Sequence, residues 1–253
     1  VTLLSSPAIR RVQRVRHELR IRRLAVSRVE RISPGFAAVC FAGAELAGFT
    51  SLSFDDHVKL ILPSADGEPL RRDFTPRRFD AARQELTIEF ALHGHGAASA
   101  WAADASPGQS VTIGGPRGSM VIADDHEWHL LAGDASALPA IHRRLEELVP
   151  GQRALVLVEV ADPADERRFD SAARLEVQWV RNAQQWLAAL RDLELPRTEG
   201  FAWCAGEART MAAARNLLRM HHGHPLEAMR VSAYWKAGAS GFHEDLSEPA
   251  RQP

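Results

Sequence analysis

Residues 129–140, HLLAGDASALPA, decide the fold together with a partner stretch at 201–208, FAWCAGEA. Each is a short apolar run that breaks at Ala-Gly-acid and then opens into a helical pattern, over 138–148 in the first case and 209–220 in the second. Strand and helix alternate around them. Residues 128–132 read as a first strand and 139–148 as its helix. Residues 154–160, ALVLVEV, form a near-continuous apolar run of the kind a parallel strand covered on both faces requires. A third strand over 175–180, a helix over 183–193, a fourth strand over 200–204 and a fifth over 229–235 complete a doubly wound parallel sheet. In the strand order 3-2-1-4-5, strands one and four are neighbours whose connections leave on opposite faces. Both Ala-Gly-acid turns then fall at that switch point, beyond the carboxyl ends of the strands, where ligands bind. Gly133 and Gly206 either let a ligand approach the backbone with no Cβ in the way or merely end their strands.

Upstream the punctuation is different. Short β-like runs at 37–42, 58–63, 71–75, 86–92 and 110–113 are separated by Gly, Pro and Asp, a pattern of antiparallel barrels and sandwiches. A helix over 97–105 interrupts them before Pro107-Gly108, and the barrel ends near 120–125. The expected organisation is a barrel domain over 1–123, an α/β domain over 124–240 and a polar, flexible tail over 241–253.

A length of 253 residues allows one large domain or two ordinary ones, and 45% hydrophobic with 25% charged residues is enough for a sizeable core. A net charge of −1 argues against bulk nucleic-acid binding. Residues 10–31 nevertheless carry nine arginines against Glu18 and Glu30, either to attract an anionic ligand or as a solvated face. Cys40 and Cys204 are too few for a disulfide framework or a cysteine-ligated iron–sulfur cluster. Residues 1–5 are too short and polar for a secretory core. No apolar run approaches the roughly eighteen residues of a membrane span. A cytoplasmic protein without membrane insertion is expected.

Several barrel-half motifs carry chemistry. Arg72-Asp73-Phe74-Thr75 puts Arg72 and Phe74 on one strand face, with Arg77 and Arg78 following. That set suits a flat ring beside a diphosphate; it also suits an edge strand with solvated arginines and a core Phe. Residues 93–101, HGHGAASAW, place small residues before a helix that begins near Ala98-Ser99, where exposed N–H groups favour a diphosphate. His93 and His95 lack a third ligand at a convincing spacing, so no metal site is expected. Gly114-Gly115-Pro116-Arg117-Gly118 is a turn with Arg117 at its tip, and His221-His222-Gly223-His224 reads as a Gly-capped helix end.

In order, RDFTPRRFD, ALHGHGAASAWAADASPG, GGPRGS, LLAGDASALPAI, WCAGEA and AYWKAG resemble the siderophore-interacting protein family over about residues 20–240. These are flavin-dependent ferric-siderophore reductases related to the ferredoxin–NADP reductases. The resemblance implies an N-terminal six-stranded antiparallel FAD-binding β-barrel and a C-terminal NAD(P)H-binding α/β domain. It implies Arg72 at the diphosphate, Phe74 stacked on the flavin ring and Thr75 at the ring edge, with Arg77, His93, Ala98 and Ser99 also lining the flavin. Gly133, Asp134, Ser136 and Ala137 would lie next to the nicotinamide, joined by Gly206, Glu207, Tyr234 and Trp235. Thr75, Asp134 and Lys236 would be the residues of the reaction itself. Phe74 stands where the family has Tyr, Ala135-Ser136 where it has Glu-Thr, Ala97 for a common Pro and Ala233 for a usual Gly.

The implied reaction passes electrons from NAD(P)H through FAD to siderophore-bound Fe(III). It releases Fe(II), because hard oxygen donors hold Fe(II) far less strongly. Lys236, Arg117 and the N-terminal arginines would attract anionic ferric complexes. Asp162 and Asp165 would favour NADH, Arg167 and Arg168 NADPH, and ferredoxin is an external alternative. Rivals are a general NAD(P)H–flavin oxidoreductase and a non-catalytic siderophore- or flavin-binding protein.

Overall fold

The computed structural model describes residues 12–62, 68–92, 96–239 and 242–246. The first half runs β1 (Val12–Arg16), β2 (Ile21–Ser33), β3 (Phe36–Ala42), β4 (Val58–Leu62), β5 (Leu70–Phe74), β6 (Arg78–Asp80), β7 (Glu85–Ala91), α1 (Ala97–Ala103), β8 (Ser110–Gly114) and β9 (Gly118–Ile122). The second runs β10 (Trp128–Asp134), α2 (Leu138–Glu147), β11 (Arg153–Glu159), β12 (Arg174–Val180), α3 (Ala183–Asp192), β13 (Gly200–Glu207), α4 (Ala208–Asn216), β14 (Met229–Trp235) and β15 (Glu244–Asp245).

The antiparallel half is built by alternation. In β4, VKLIL, Val58, Leu60 and Leu62 are buried while Lys59 and Ile61 are half-exposed; β2 buries Arg22, Leu24 and Val26 in the same way. These faces meet Val39, Phe41, Leu86, Ile88, Phe90 and Ile113 in one core, which α1 closes with Ala98 and Ala102. The half-barrel has seven strands, in the order β5-β4-β8-β2-β3-β7-β6, rather than the six expected. The extra strand is β6, three residues paired antiparallel to β7. β1 and β9 form a separate two-stranded ribbon.

The second sheet has the order β12-β11-β10-β13-β14-β15, which is the expected 3-2-1-4-5 with one more edge strand. β10 and β13 are buried on both faces along nearly their whole length. α2 packs on one face, together with Phe36, Phe54 and Ile122 of the first half; α3 and α4 cover the other. β10 and β13 are parallel neighbours whose helices leave to opposite faces, so the switch point lies between them. Beyond α4 the chain continues as a single π-turn over Leu217–His221, and Gly223 at φ 65° ends it, where Leu218 O accepts from His224 N at 2.8 Å. Within the expected tail, Glu244–Asp245 is an ordered antiparallel edge on β14, held where Asp245 pairs with Arg230. No helix of the described residues is long and apolar enough to cross a membrane.

Candidate active site

The carboxyl ends of β10, β13 and β14 converge on Asp134. Its Oδ1 accepts from Ser136 N at 2.9 Å and Ser136 Oγ at 2.5 Å; its Oδ2 accepts from Glu207 N at 2.9 Å and Trp235 Nε1 at 2.8 Å. One carboxylate thereby ties three strand ends together. Burial pushes the Asp134 carboxyl up from its ordinary value, against the lowering effect of these four bonds. Glu159, in register beside it, is pushed up by burial and by the charge of Asp134.

The two glycines serve this close packing. A Cβ at Gly133 would fall 2.2 Å from Ala205 O and 2.5 Å from Ala137 Cβ, and one at Gly206 would fall 2.6 Å from Asp134 Oδ2. The space their missing side chains leave is filled by the protein's own atoms. Glu207 caps α4, its Oε2 accepting from Arg209 N at 2.6 Å and Thr210 N at 3.2 Å. Ala137 is buried at the start of α2, Ser136 is held by Asp134, and Trp235 is 44% exposed. Lys236 is exposed, its Nζ 5.5 Å from the centre of the Phe242 ring.

On the barrel side, β5 carries a half-buried Phe74, whose ring lies 4.4 Å from that of Phe90, and Arg72, whose Nη1 donates to its neighbour's carbonyl. Thr75 is buried just beyond, and Asp73 faces the other way to pair with Lys59 Nζ at 2.8 Å. A half-buried ring and a guanidinium two residues apart on one strand fit a flat ring beside a diphosphate. Ala98 and Ser99 lie in the first turn of α1; His93 lies outside the described residues. β5 also adjoins the switch-point end of the other half. Phe74 pairs with Val58, and neighbouring His57 lies ring to ring with His243 at 5.1 Å, which in turn lies 5.6 Å from Tyr234.

Several residues expected at ligands instead hold the halves together. Arg77 is buried, with Nη1 and Nη2 each 2.7 Å from the Glu146 carboxylate of α2 and Nε 3.2 Å from Glu89. Two carboxylates already balance its charge from two sides, so its guanidinium is engaged at the join between β6–β7 and α2. Asp165 accepts from Ser33 Oγ at 2.6 Å and Gly35 N at 2.8 Å, and Arg167 pairs with Glu89 and stacks 4.5 Å over Phe36. Both are engaged within the protein, between the two halves. Asp162 caps the turn at 163–165, and Arg168 is exposed. Tyr234 donates its hydroxyl to Asp55 at 3.1 Å, beside Trp203 Nε1 at 3.0 Å and Arg230 Nε at 3.1 Å. Burial and the Asp55 charge raise the Tyr234 hydroxyl well above its ordinary value.

Asp55 was not foreseen, nor were its neighbour Asp56, which accepts from Ser119 Oγ at 2.7 Å and Ser51 Oγ at 2.9 Å, and Arg143, which donates to Ser51 Oγ and Pro76 O at 2.8 Å. The available signal was two adjacent acids leading into a strand, in SFDDHVKL. Among the described residues no group of three or more His, Cys, Asp and Glu could hold a metal ion.

The sequence matches the profile of the siderophore-interacting FAD-binding domain over residues 25–70 and 64–120, and that of the siderophore-interacting protein over 126–238. It is 37% identical over 249 residues to the NADPH-dependent ferric-chelate reductase of Escherichia coli, covering 89% of this chain and 96% of that one. The ferric vibriobactin reductase of Vibrio cholerae is 28% identical over 85% of this chain and 89% of its own length. The crystal structure of a siderophore utilization protein from T. fusca superposes with a TM-score of 0.86 at 32% identity, covering 91% of this chain and 98% of that one. With both halves matched and this degree of identity along the chain, the protein belongs to the siderophore-interacting protein family.

Proposed function

We propose that this protein is a ferric-siderophore reductase that takes electrons from NAD(P)H, uses FAD as its resident cofactor and acts in the cytoplasm. The observation that carries the reading is the meeting of the Arg72–Thr75 strand with the ends of β10, β13 and β14, side by side through His57, His243 and Tyr234. The barrel half, through about residue 123, holds the flavin; residues 124–240 hold the electron donor. Bound FAD supplies the conversion of a two-electron hydride into single electrons. The chain's residues bind and orient. Phe74 stacks on the ring, Arg72 neutralises the diphosphate and Thr75 places a hydroxyl at the ring edge. Asp134 fixes Ser136, Glu207 and Trp235 around the donor's place. Lys236 and Arg117, both exposed, attract an anionic ferric complex.

The test is anaerobic absorbance of the purified protein. Flavin colour should bleach with NADPH or NADH and return when a ferric siderophore is added, with Fe(II) trapped by a chelator. Bleaching without return points to a general flavin reductase, and bleaching only by reduced ferredoxin to an external donor. A colourless protein that takes up no FAD refutes the reading altogether.

A further inference from the structure

We propose that Arg143, reaching from α2 of the second half into the barrel half, is a positioning residue that fixes the Thr75 hydroxyl at the flavin ring edge. The inference rests on the flavin lying against the Arg72–Thr75 strand.

Thr75 and Pro76 form a passage between two strand pairings. β5 ends with the Phe74–Val58 pair, and beyond the passage Arg77 N donates to Thr87 O of β7 at 2.9 Å. The two residues make this passage stiff while offering little by which to hold it. Proline has a fixed φ and no N–H to donate, and it confines the residue before it to extended backbone. Threonine is branched at Cβ, so its hydroxyl has few rotamers. The place of the buried Thr75 hydroxyl therefore follows the place of the Pro76 peptide, and the Pro76 carbonyl is the handle on it.

Arg143 takes that handle. Its Nη1 donates to Pro76 O and to Ser51 Oγ, each at 2.8 Å, and its Nη2 donates to Ser51 O at 3.1 Å. Its Nε donates to Glu147 Oε1 at 2.7 Å, one turn along α2, so the fork is aimed from its own helix, and the side chain is only 13% exposed. The Ser51 hydroxyl in turn donates to Asp56 at 2.9 Å, in the segment that leads into β4. One guanidinium thus grips both chains that flank the Val58–Phe74 pair. Glu146 of the same helix holds the Arg77 side chain, two residues beyond Thr75, whereas Arg143 holds the adjacent peptide. α2 is itself anchored in the core by Leu138, Ile141 and Leu145, and it starts beside Ser136 and Asp134. The half that receives the electron donor therefore also sets the hydroxyl that the ring meets.

The test compares FAD-loaded wild type with Arg143→Gln, Arg143→Lys, Thr75→Val and the double variant Arg143→Gln/Thr75→Val. Asp165→Ala serves as a control that loosens the join between the halves elsewhere, at Ser33 and Gly35. The readouts are the shape of the long-wavelength flavin absorption band, the flavin midpoint potential and the limiting rate of bleaching by NADPH in stopped flow. Arg143→Gln should move band and potential in the same sense as Thr75→Val. It should slow bleaching by about 10- to 100-fold, as a misplacement of about 1 Å does, with the half-saturating NADPH concentration as in wild type. Arg143→Lys, which keeps the charge on a single nitrogen, should recover part of the loss. In the double variant the two effects should not multiply, because both act at one hydroxyl. Asp165→Ala should leave all three readouts in place. Multiplying effects, an Arg143→Gln variant with the band and rate of wild type, or equal changes in Asp165→Ala overturn the positioning role and leave the flavin where it is. If Arg143→Gln does not fold, Arg143→Lys decides, and a potential that does not move toward that of Thr75→Val overturns the role. A Thr75→Val variant indistinguishable from wild type refutes the ring-edge reading itself, and the assignment falls with it.

Discussion

Asp134 is the acid most open to misreading, and substituting it two ways separates a reacting group from a positioning one. Its four donors differ in kind. Glu207 N and Trp235 Nε1 can only donate, as can Ser136 N, whereas the Ser136 hydroxyl can also accept. In Asp134→Asn the amide oxygen therefore turns toward Glu207 and Trp235. The new NH2 faces Ser136, where the hydroxyl reverses and Ser136 N alone is orphaned. One lost bond costs about 1–2 kcal/mol. In Asp134→Ala all four donors lose their acceptor. At about 1 kcal/mol each the loss is roughly 4 kcal/mol, reduced to about 2–4 kcal/mol because a buried charge is also removed.

Urea unfolding of the flavin-loaded protein measures these costs, and the indole N–H signal of Trp235 in heteronuclear NMR reports the local bond. That signal should hold its position in Asp134→Asn and shift upfield in Asp134→Ala. Turnover should follow the geometry: Asp134→Asn keeps it within several-fold of wild type, and Asp134→Ala loses it together with nucleotide affinity. If Asp134 itself passed a proton, the amide would abolish turnover as completely as alanine does. Equal loss in the two variants, or an indole signal indifferent to Asp134→Ala, refutes the positioning role.

Other expectations are more direct. His129 is buried, and burial, then Arg144 and His126, lower its pKa to about 3. The unfolded chain takes up a proton below about pH 6.5 that the native protein refuses, so the stabilisation is full above that pH and is lost as the pH falls. This amounts to about 2 kcal/mol at pH 5; a His129→Gln variant whose unfolding free energy falls as much as wild type's between about pH 8 and pH 5 contradicts it. Glu146→Gln strips Arg77 of its bidentate partner and should cost about 2–4 kcal/mol in thermal or urea unfolding; a change under about 0.5 kcal/mol would show the pair to be idle. Burial alone would raise the Glu146 carboxyl, but the Arg77 hydrogen bond and charge hold it below the ordinary value, so this contribution is present above about pH 4.3 and disappears in stronger acid. Phe74→Ala and Arg72→Ala should each weaken FAD by about 10-fold or more, read as flavin retained through gel filtration; full retention in both would move the flavin elsewhere.

The α/β half was legible because its signal is local. A strand buried on both faces must be largely apolar, so LLA and ALVLV announce themselves, and the usual order of a doubly wound sheet placed both Ala-Gly-acid turns at its switch point. β2 was hidden by its own chemistry. Its inward row begins with Arg22, which donates to Glu45 O at 2.9 Å and Gly115 O at 3.0 Å and lies over Phe49, so a buried position looks like a solvated one. β9 opens on Gly118, where a Cβ would meet Val15 O at 2.5 Å; the glycine looked like part of a turn, and the strand that requires it is distant in sequence.

The site residues divide along the same line. Arg77, Asp165, Arg167 and Tyr234 are charged or polar near ligand motifs, and by residue type alone each suits a cofactor. What the structure adds is a partner contributed from far along the chain: Arg77 and Glu146 are 69 positions apart, Asp165 and Gly35 130, Tyr234 and Asp55 179. A buried guanidinium that already faces two carboxylates has its charge matched within the fold, and no local pattern records the match. Arg181, the first residue past β12 and paired with Glu166, shows the converse. Its partner Glu166 is only 15 positions away, and the two side chains are 35% and 34% exposed, so the fold leaves this pair open to water. Whether a charged residue can serve a ligand is therefore decided by how tightly the fold has already matched it, which is a property of the burial of the pair and not of either residue.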